Sequence, residues 1–458
     1  MSGPPPAARA ASGEAAKAPG KLGLGMAVAL VVGNVIGSGV YLVPASLAPY
    51  GRNSLGAWLF TATGALLLAA VFAALSRAMP AEGGLYAYTR AAFGERAGFV
   101  VAWGYWVSIW VGNAAIATAG VSYASVFAPW IVSGAGVSVL ATLGSVWLLT
   151  LVNCTGVRAA GWVQVVTTLL KLVPLVAIGL AGLVFARGEI AFASAEAPLS
   201  LDATTAAATL TLWALLGLES ATVPAGMVRD PARTIPRATL LGTAVSAVLC
   251  AVSCSVVLAL VPRDTLAASN APFADAARVL FGPASAALVS AFAATSAFGA
   301  LNGWILLQGE LPRALARDGL FPRPFARVSS RGTPVMALVV GSLLVSLLVL
   351  VNAHSSLVEV FTFMILLSTT ATLVAYLACS LALLLLLRRG RVASRHVPWL
   401  ATAAALGALY SLWAIAGAGG RAVLWGAVLI LAAVPVHALM RSGAAARAGL
   451  GVPVRSDS

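Results

Sequence analysis

Charged residues are scarce in this sequence. They make up 9% of the 458 residues, whereas hydrophobic residues make up 60%. Soluble domains carry about 25% charged residues, so this scarcity excludes a soluble chain of this length and indicates a polytopic membrane protein. The net charge of +14 falls in loops between apolar segments and therefore reports membrane topology, so no nucleic-acid partner is predicted.

Cysteine and the common catalytic motifs are also scarce or absent. The four cysteines, of which Cys250 and Cys254 are one helical turn apart, lie in or beside apolar segments without a nearby metal ligand. They are interpreted as inert core thiols, and neither a disulfide nor a metal site is predicted. The sequence has no phosphate loop of the GxxxxGK type and no nucleophile elbow. These absences argue against an enzyme and against ATP-driven transport by this chain, and no cofactor is predicted.

Long apolar segments are abundant, and each can cross a hydrocarbon core of about 30 Å. The predicted spans are residues 22–48, 55–78, 97–128, 135–153, 160–186, 205–227, 238–261, 283–311, 334–352, 357–387, 397–417 and 422–440. The fold class expected is therefore an all-α polytopic membrane protein of about twelve transmembrane helices. Residues 1–21 are predicted to be a disordered tail and residues 441–458 a second tail; a cleaved signal peptide is not expected.

The distribution of basic residues predicts the orientation. With a cytoplasmic N-terminus, 22 of the 28 lysines and arginines fall on the cytoplasmic side, five fall outside, and Lys171 lies within a span. Cytoplasmic loops retain positive charge, so this bias places both termini in the cytoplasm. The predicted location is the inner (plasma) membrane.

The middle of the first span is rich in glycine. Gly33, Gly37 and Gly39 fall within seven residues, and each costs a helix roughly 0.5–1 kcal/mol relative to alanine. Unwound backbone at this depth is tolerated where it is buried in protein or lines a wet cavity. The segment therefore predicts a helix break that offers backbone groups to a ligand. The alternative is close helix packing, because Gly33 and Gly37 form a GxxxG motif.

Two ionisable residues lie well inside spans. Lys171 is in the fifth span and Glu219 is in the sixth, where Gly217 also interrupts the apolar sequence. Such charges cost at least about 2.5–3.5 kcal/mol at a helix centre and usually face a cavity or a partner; a structural ion pair or a snorkelling lysine is the alternative. Paired interruptions of the first and sixth spans predict a transporter built from inverted repeats, residues 22–186 and 205–387, with residues 397–440 as two extra helices.

Polar and aromatic residues in other spans are candidates for lining a site. They are Tyr105, Ser108 and Asn113 in the third span, Trp304 in the eighth, and Ser368 and Tyr376 in the tenth. Serine and asparagine in membrane helices also serve as contacts between helices, which remains the alternative for Asn113 and Ser368. Trp213, like Trp304, lies deeper than an interfacial tryptophan requires.

Several long motifs occur in a recognisable order. They are GNVIGSGVYLVP at 33–44, GGLYAYTRAAFG at 83–94, WALLGLESATVPAGMVRDPARTIPRAT at 213–239 and GWILLQGELPRALARDGLFPRPFARV at 303–328. On these motifs the chain resembles, from about residue 22 to 440, the amino acid–polyamine–organocation (APC) superfamily, and within it the arginine/agmatine antiporters of the basic amino acid/polyamine antiporter family. The resemblance implies a five-plus-five inverted repeat with broken helices 1 and 6, and a homodimer.

The resemblance also implies roles by position. Ser38 and Gly39 match the part of the first break that binds the substrate carboxylate, and helix N-terminal amides favour such an anion. Carbonyls of Val35, Trp213 and Leu216 match those that take the α-amino group. The predicted substrate-binding residues are Val35, Ile36, Gly37, Ser38, Gly39, Ser108, Asn113, Trp213, Leu216, Trp304 and Ser368.

The remaining predicted residues concern gating or proton linkage. Glu219 matches a pH-linked carboxylate, Trp213 a proximal gate, and Tyr105 and Tyr376 outer gating tyrosines. Lys171 departs from the antiporters, which have a small apolar residue there, and is similar to the lysine of broader amino acid permeases. In those permeases the ammonium stands where sodium sits in sodium-coupled relatives. This departure predicts transport without sodium and makes proton coupling or plain exchange the alternatives to strict arginine/agmatine exchange.

The sequence therefore predicts a secondary active transporter of a small amino acid or amine in a lipid bilayer. The substrate expected is a cationic, arginine-like amino acid, exchanged against its decarboxylated amine or imported. The alternatives are a proton-coupled permease of broad specificity that uses Lys171 and Glu219, and a sensor that binds amino acids without moving them.

Overall fold

A computed structural model describes residues 23–80, 84–155, 158–185, 198–222, 228–392 and 397–437. The predicted tails lie outside these ranges, as do residues 223–227 of the sixth predicted span. The helices in chain order are α1 (Leu24–Val35), α2 (Val43–Leu47), α3 (Asn53–Ala78), α4 (Leu85–Phe93), α5 (Glu95–Ala124), α6 (Ala135–Thr155), α7 (Arg158–Phe185), α8 (Leu201–Trp213), α9 (Pro231–Leu260), α10 (Arg263–Ala267), α11 (Pro272–Phe281), α12 (Pro283–Arg317), α13 (Val335–Val351), α14 (Leu357–Arg388), α15 (Val397–Gly417) and α16 (Gly420–Leu431).

The predicted all-α membrane architecture is confirmed. In the described part of the chain, eight helices are long and apolar enough to cross a membrane. The other four predicted spans correspond to α1 with α2, to α7, to α8 with the turn that follows it, and to α13. The first and sixth spans are interrupted, as the inverted-repeat architecture requires, because α1 ends at Val35 and α8 ends at Trp213.

The predicted helix boundaries agree best with the observed ones where the hydropathy of the sequence changes abruptly. Helix α15 covers the predicted residues 397–417, and α13 differs from its prediction by one residue at each end. Helix α9 begins seven residues before residue 238, at Pro231, because a proline is well accommodated in the first turn of a helix. The short helices α4, α10 and α11 were not predicted, since each is too short to produce a membrane-spanning hydropathy signal.

Equivalent helices of the two repeats pack against each other. The second helices of the repeats, α3 and α9, lie side by side, as do the third helices, α5 and α12, and the fourth helices, α6 and α13. Small residues let helix backbones approach each other closely, and van der Waals packing of this kind holds helices together in lipid.

Neighbouring helices that are not equivalent also pack closely in this way. A Cβ at Gly242 of α9 would lie 2.6 Å from the side chain of Val31 in α1.

The outer surface of the helix assembly is apolar. Leu140 and Leu148 of α6 are 70% and 63% exposed, and Leu59 of α3 is 74% exposed. A membrane protein presents such side chains to lipid, where their exposure carries no hydrophobic cost. The polar groups described below are buried inside this apolar surface.

Candidate functional site

The first helix break lies in the glycine-rich part of the first span. After α1 the backbone leaves helical geometry at Ile36 and Gly37, and a short 3₁₀ turn runs over Ser38–Tyr41. The residue before this turn is Gly37, which has no side chain to cap it. The first backbone N–H groups of the turn therefore receive no hydrogen bond from this residue's side chain. The hydroxyl of Ser38, predicted to bind a carboxylate, lies outside the described part of the structure.

The second break follows Trp213 in the sixth span. The backbone tightens into turns with hydrogen bonds from Leu215 N to the Leu212 carbonyl (2.8 Å) and from Leu216 N to the Trp213 carbonyl (3.3 Å). Gly217 then adopts φ +97°, a left-handed conformation that side chains rarely take. A Cβ at Gly217 would lie 3.2 Å from the carbonyl oxygen of Asn34. The two breaks therefore meet, backbone against backbone.

The breaks face a cavity that contains about 530 Å³ of space not filled by protein atoms. The first and second breaks form one side, and helices α5, α12 and α14 form the other. The described lining residues are Asn34, Val35, Gly37, Gly39, Val40, Tyr105, Ser108, Ile109, Gly112, Ile116, Trp213, Ala214, Leu216, Gly217, Glu219, Trp304, Ser368 and Thr372.

The indole of Trp213 extends across this cavity. A Cβ at Gly39 would lie 2.0 Å from Trp213 Nε1, and a Cβ at Gly112 of α5 would lie 3.1 Å from Trp213 Cη2. Both ends of the ring thus rest against glycines, one in the first break and one in α5. Any larger residue at Gly39 would displace the indole.

Glu219 lies after the second break and is bound by two tyrosines. The Tyr105 hydroxyl donates to Glu219 Oε1 at 2.6 Å, and the Tyr376 hydroxyl donates to Oε2. The Gly217 N–H donates to the Tyr376 hydroxyl at 3.3 Å. Both carboxylate oxygens of this buried residue are therefore satisfied, and the cluster connects the sixth span to α5 and α14.

The two tyrosines lie in the same half of the helix assembly. Tyr105 lies in the first half of α5, close to Arg90 and Arg96, and Tyr376 lies in the second half of α14, which ends at Arg388. Both residues are thus in the half of the molecule next to the arginine-rich loops. The outer gating role that the resemblance implies for these two tyrosines stays a prediction.

Lys171 does not line the cavity. Its side chain contacts the end of α1, next to the first break. Its ammonium donates to the carbonyl oxygen of Gly33 in the last turn of α1, and its own carbonyl accepts from the Tyr41 hydroxyl. The side chain is 2% exposed. The last carbonyls of a helix have no intrahelical partners, and Lys171 supplies a donor to one of them.

The structure brings most of the predicted residues together around the cavity, but not all of them. Ile36, Asn113, Lys171 and Tyr376 are buried behind the lining. Ile36 is buried in the protein interior. It continues the last turn of α1, since its N–H donates to the Val32 carbonyl at 2.9 Å. Asn113 is turned towards α12, where Asn113 Nδ2 donates to Gln308 Oε1 at 2.8 Å.

Some lining residues were missed by sequence reasoning. Ile109, Gly112 and Ile116 continue the helical spacing of Tyr105 and Ser108 along α5, and Thr372 lies one turn after Ser368 in α14. Extending the two predicted positions by steps of three and four residues would have found them. The hydroxyl of Ser368 donates to the Ser108 carbonyl at 2.7 Å and so joins α14 to α5 at the cavity.

Comparison with known proteins adds family relationships to this geometry. The family model described as amino acid permease matches residues 22–439. The putrescine transporter PotE of Haemophilus influenzae is 32% identical over 412 residues, which cover 89% of this chain and 94% of that protein. The cadaverine/lysine antiporter of Escherichia coli K12 is 34% identical over 345 residues, covering 73% of this chain and 76% of that protein.

A solved structure shares the fold at low sequence identity. A manganese transporter of Eremococcus coleocola superposes with a TM-score of 0.56 over 90% of this chain and 93% of its own, at 13% identity. This similarity supports the architecture of the helices and carries no information on the substrate.

Proposed function

Because this chain belongs to the amino acid permease family, a family of membrane transporters and not of enzymes, we propose that it exchanges a cationic amino acid for its decarboxylated amine. The observation that carries the proposal is the meeting of two helix breaks at one cavity. The names of its relatives, a putrescine transporter and a cadaverine/lysine antiporter, supply the substrate class. The arginine/agmatine pair expected from the sequence remains one candidate within that class.

The charges around the cavity favour a cation. Among the described lining residues Glu219 is acidic and none is basic. Two indoles, those of Trp213 and Trp304, also line the cavity, and an indole face attracts an ammonium or guanidinium by about 0.5–2 kcal/mol. Cation binding in the cavity therefore has both a countercharge and aromatic surfaces available.

The broken helices suit the head group of an amino acid. Amides at Ser38 and Gly39 begin a turn and would receive a carboxylate, whereas carbonyls of Val35, Trp213 and Leu216 would receive an ammonium. A diamine has an ammonium at each end and no carboxylate, so it would use the carbonyls and the acidic side but not the amides. The two substrates would thus bind at overlapping positions, as an exchanger needs.

Alternating access would use gates at opposite ends of the cavity. Trp213 ends the helix on one side of the second break, and the cluster of Glu219 with Tyr105 and Tyr376 lies on the other side, towards the basic loops. We assign this second side to the cytoplasm, with both termini cytoplasmic in a multi-pass protein of the inner membrane, and we propose a homodimer.

Transport in proteoliposomes tests the proposal. Uptake of radiolabelled arginine, lysine and ornithine is measured into vesicles that contain no substrate, the same amino acid, or the corresponding amine (agmatine, cadaverine or putrescine). Exchange predicts uptake that depends on internal substrate for at least one of the three pairs. Saturable uptake into empty vesicles would indicate import, and no uptake of any amino acid or amine would refute the proposed function.

A second candidate, a proton-coupled permease, is favoured by the contact of Lys171 with Gly33. The lysine ammonium occupies the end of α1, and a proton gained or lost there would change how the first break is held. Lys171→Ala should then flatten the dependence of uptake on external pH while changing substrate affinity little. An unchanged pH profile in Lys171→Ala, with uptake retained, would remove this candidate. Sodium replacement by choline serves as the control and should leave uptake of the unmodified protein unaltered.

A further inference from the structure

Gln308 is a buried polar residue to which the predicted substrate site assigned no role. It lies in α12 one turn after Trp304 and is fully buried. Its side chain crosses the backbone of α13 at Gly341, where a Cβ would lie 2.3 Å from Gln308 Nε2. The glycine therefore provides the space in which this carboxamide is held.

The hydrogen bonds of Gln308 fix the direction of its amide. Gln308 Nε2 donates to the Leu338 carbonyl and to Ser342 Oγ, both at 3.3 Å. A backbone carbonyl can only accept, so the amide nitrogen and not the oxygen must face α13. Thr150 Oγ1 donates to the Val146 carbonyl at 2.7 Å and lies 2.7 Å from Ser342 Oγ, so Ser342 donates to Thr150 and is free to accept from Gln308.

The direction of Gln308 in turn fixes that of Asn113. Gln308 Oε1 points to α5 and accepts from Asn113 Nδ2 at 2.8 Å. The oxygen of the asparagine must therefore face away from Gln308. Asn113 is 0% exposed, and within the described chain its Oδ1 has no hydrogen-bond partner. An unsatisfied buried acceptor is unfavourable, and a hydrogen-bond donor from a ligand would satisfy it.

The pair lies at the edge of the cavity. Ile109, Gly112 and Ile116, the helical neighbours of Asn113 in α5, all line the cavity. Trp304, the neighbour of Gln308 one turn earlier in α12, lines it as well. Asn113 itself does not line the cavity, so its free acceptor lies just behind the wall where α5 and α12 meet beside the tryptophan.

We propose that Gln308 is a positioning residue that determines substrate specificity. By holding the amide nitrogen of Asn113, it makes Asn113 present an acceptor and not a donor to the end of the substrate side chain. The site then takes amino acids or amines that end in N–H donors, an ammonium or a guanidinium, and discriminates against isosteres that end in a carbonyl. The inference rests on the proposed function, because it assumes that the cavity binds an amino acid or amine.

Equilibrium binding to the purified full chain tests this role. Dissociation constants are measured for arginine and for citrulline, in which a carbonyl oxygen replaces one terminal nitrogen; lysine and norleucine form a second pair. In Gln308→Met the side chain keeps its length across Gly341 but cannot orient Asn113. We expect the preference for arginine over citrulline, and for lysine over norleucine, to fall about tenfold.

A double-mutant cycle separates positioning from a merely structural effect. In an Asn113→Leu background, Gln308→Met should leave the preference unaltered, because there is no amide left to orient. Ser290→Ala, which also removes a buried polar group from α12, should leave the preference at its unmodified value. Ser342→Ala removes one anchor of Gln308 and should lower the preference by a smaller factor, which keeps the test available if Gln308→Met does not fold.

The outcomes distinguish the two proposals. If the unmodified protein binds arginine or lysine but Gln308→Met and Ser342→Ala retain its preference, the role of Gln308 is refuted and the proposed function stands. An equal loss in the presence and absence of Asn113 would refute it as well. If the unmodified protein binds no amino acid or amine, both proposals fail.

Discussion

Single side chains define the chemistry of the cavity. We propose that Trp304 is the aromatic residue that contacts the side chain of the substrate. It lines the cavity from α12, together with the two breaks that would hold the head group. It is also one turn from Gln308, so an aromatic face and an oriented acceptor lie together. We therefore propose that α5 and α12 recognise the cationic end of the substrate.

Removal of this aromatic face should selectively weaken cationic ligands. We expect Trp304→Ala to lower the affinity for arginine or lysine by about tenfold more than the affinity for a neutral amino acid such as norleucine, because a cation–π contact contributes about 0.5–2 kcal/mol. Trp304→Phe should lose less, since a ring remains. Binding to purified protein measures both ratios, and Trp399→Ala, at a tryptophan 59% exposed at the start of α15, is the matched control. Equal losses for cationic and neutral ligands would contradict the assignment.

Positions in the cavity lining could be predicted from the motifs and from polar residues inside the spans, whereas the orientation of a side chain could not. The glycines, Trp213 and Glu219 occur in long motifs and line the cavity together. Asn113 was predicted to contact the substrate directly, but its orientation depends on Gln308, 195 positions away in the sequence. A contact between two distant helices leaves no local pattern, so neither this bond nor the space at Gly341 could be read from the sequence.

Among the helical elements, the second break depends most on one residue. Gly217 combines φ +97° with close approach to the first break, and its N–H donates to Tyr376. A left-handed backbone favours glycine, and the 3.2 Å approach to Asn34 O leaves little room for a Cβ. This glycine therefore sets how closely the first and sixth spans face each other.

A methyl group at Gly217 should separate the two breaks. We expect Gly217→Ala to lower the free energy of unfolding by about 1–3 kcal/mol and to reduce substrate binding, because strain and steric contact occur together at one position. Thermal unfolding in detergent and equilibrium binding are the measurements. Gly144→Ala in α6, where a Cβ would have open space, should leave binding unchanged and should not lower the free energy of unfolding, because alanine favours a helix more than glycine does. If Gly217→Ala unfolds at the same temperature and binds substrate with the same affinity as Gly144→Ala, the two breaks do not require close contact.

The elements differ in how well their sequence predicts them. Long spans such as α13 and α15 were located within a residue because continuous apolarity and length are local properties. The interruptions of the first and sixth spans were also predicted, because glycine destabilises a helix relative to other residues. Helices α4 and α11 were missed because they are short and have one apolar face, so they resemble loops in a hydropathy profile. Their helical state comes from packing against α5 and α12.

At the scale of the whole molecule, we propose one orientation from the distribution of charge and the position of the Glu219 cluster. The cluster of Glu219, Tyr105 and Tyr376 lies in the half of the helices next to the arginine-rich loops. If these loops are cytoplasmic, the hydrogen-bonded cluster closes the cavity towards the cytoplasm. Substrate would then reach the cavity of this conformation from outside, past Trp213.

The orientation can be measured independently of transport. With 22 of 28 basic residues on one side, we expect the C-terminus to be cytoplasmic, because positively charged loops are retained there. A C-terminal green fluorescent protein fusion should fluoresce and a C-terminal alkaline phosphatase fusion should be inactive. The same reporters joined after Gly419, between α15 and α16, should give the opposite result, which controls for expression. The reverse pattern at both positions would place the Glu219 cluster on the outer side, and the direction proposed for alternating access would have to be inverted.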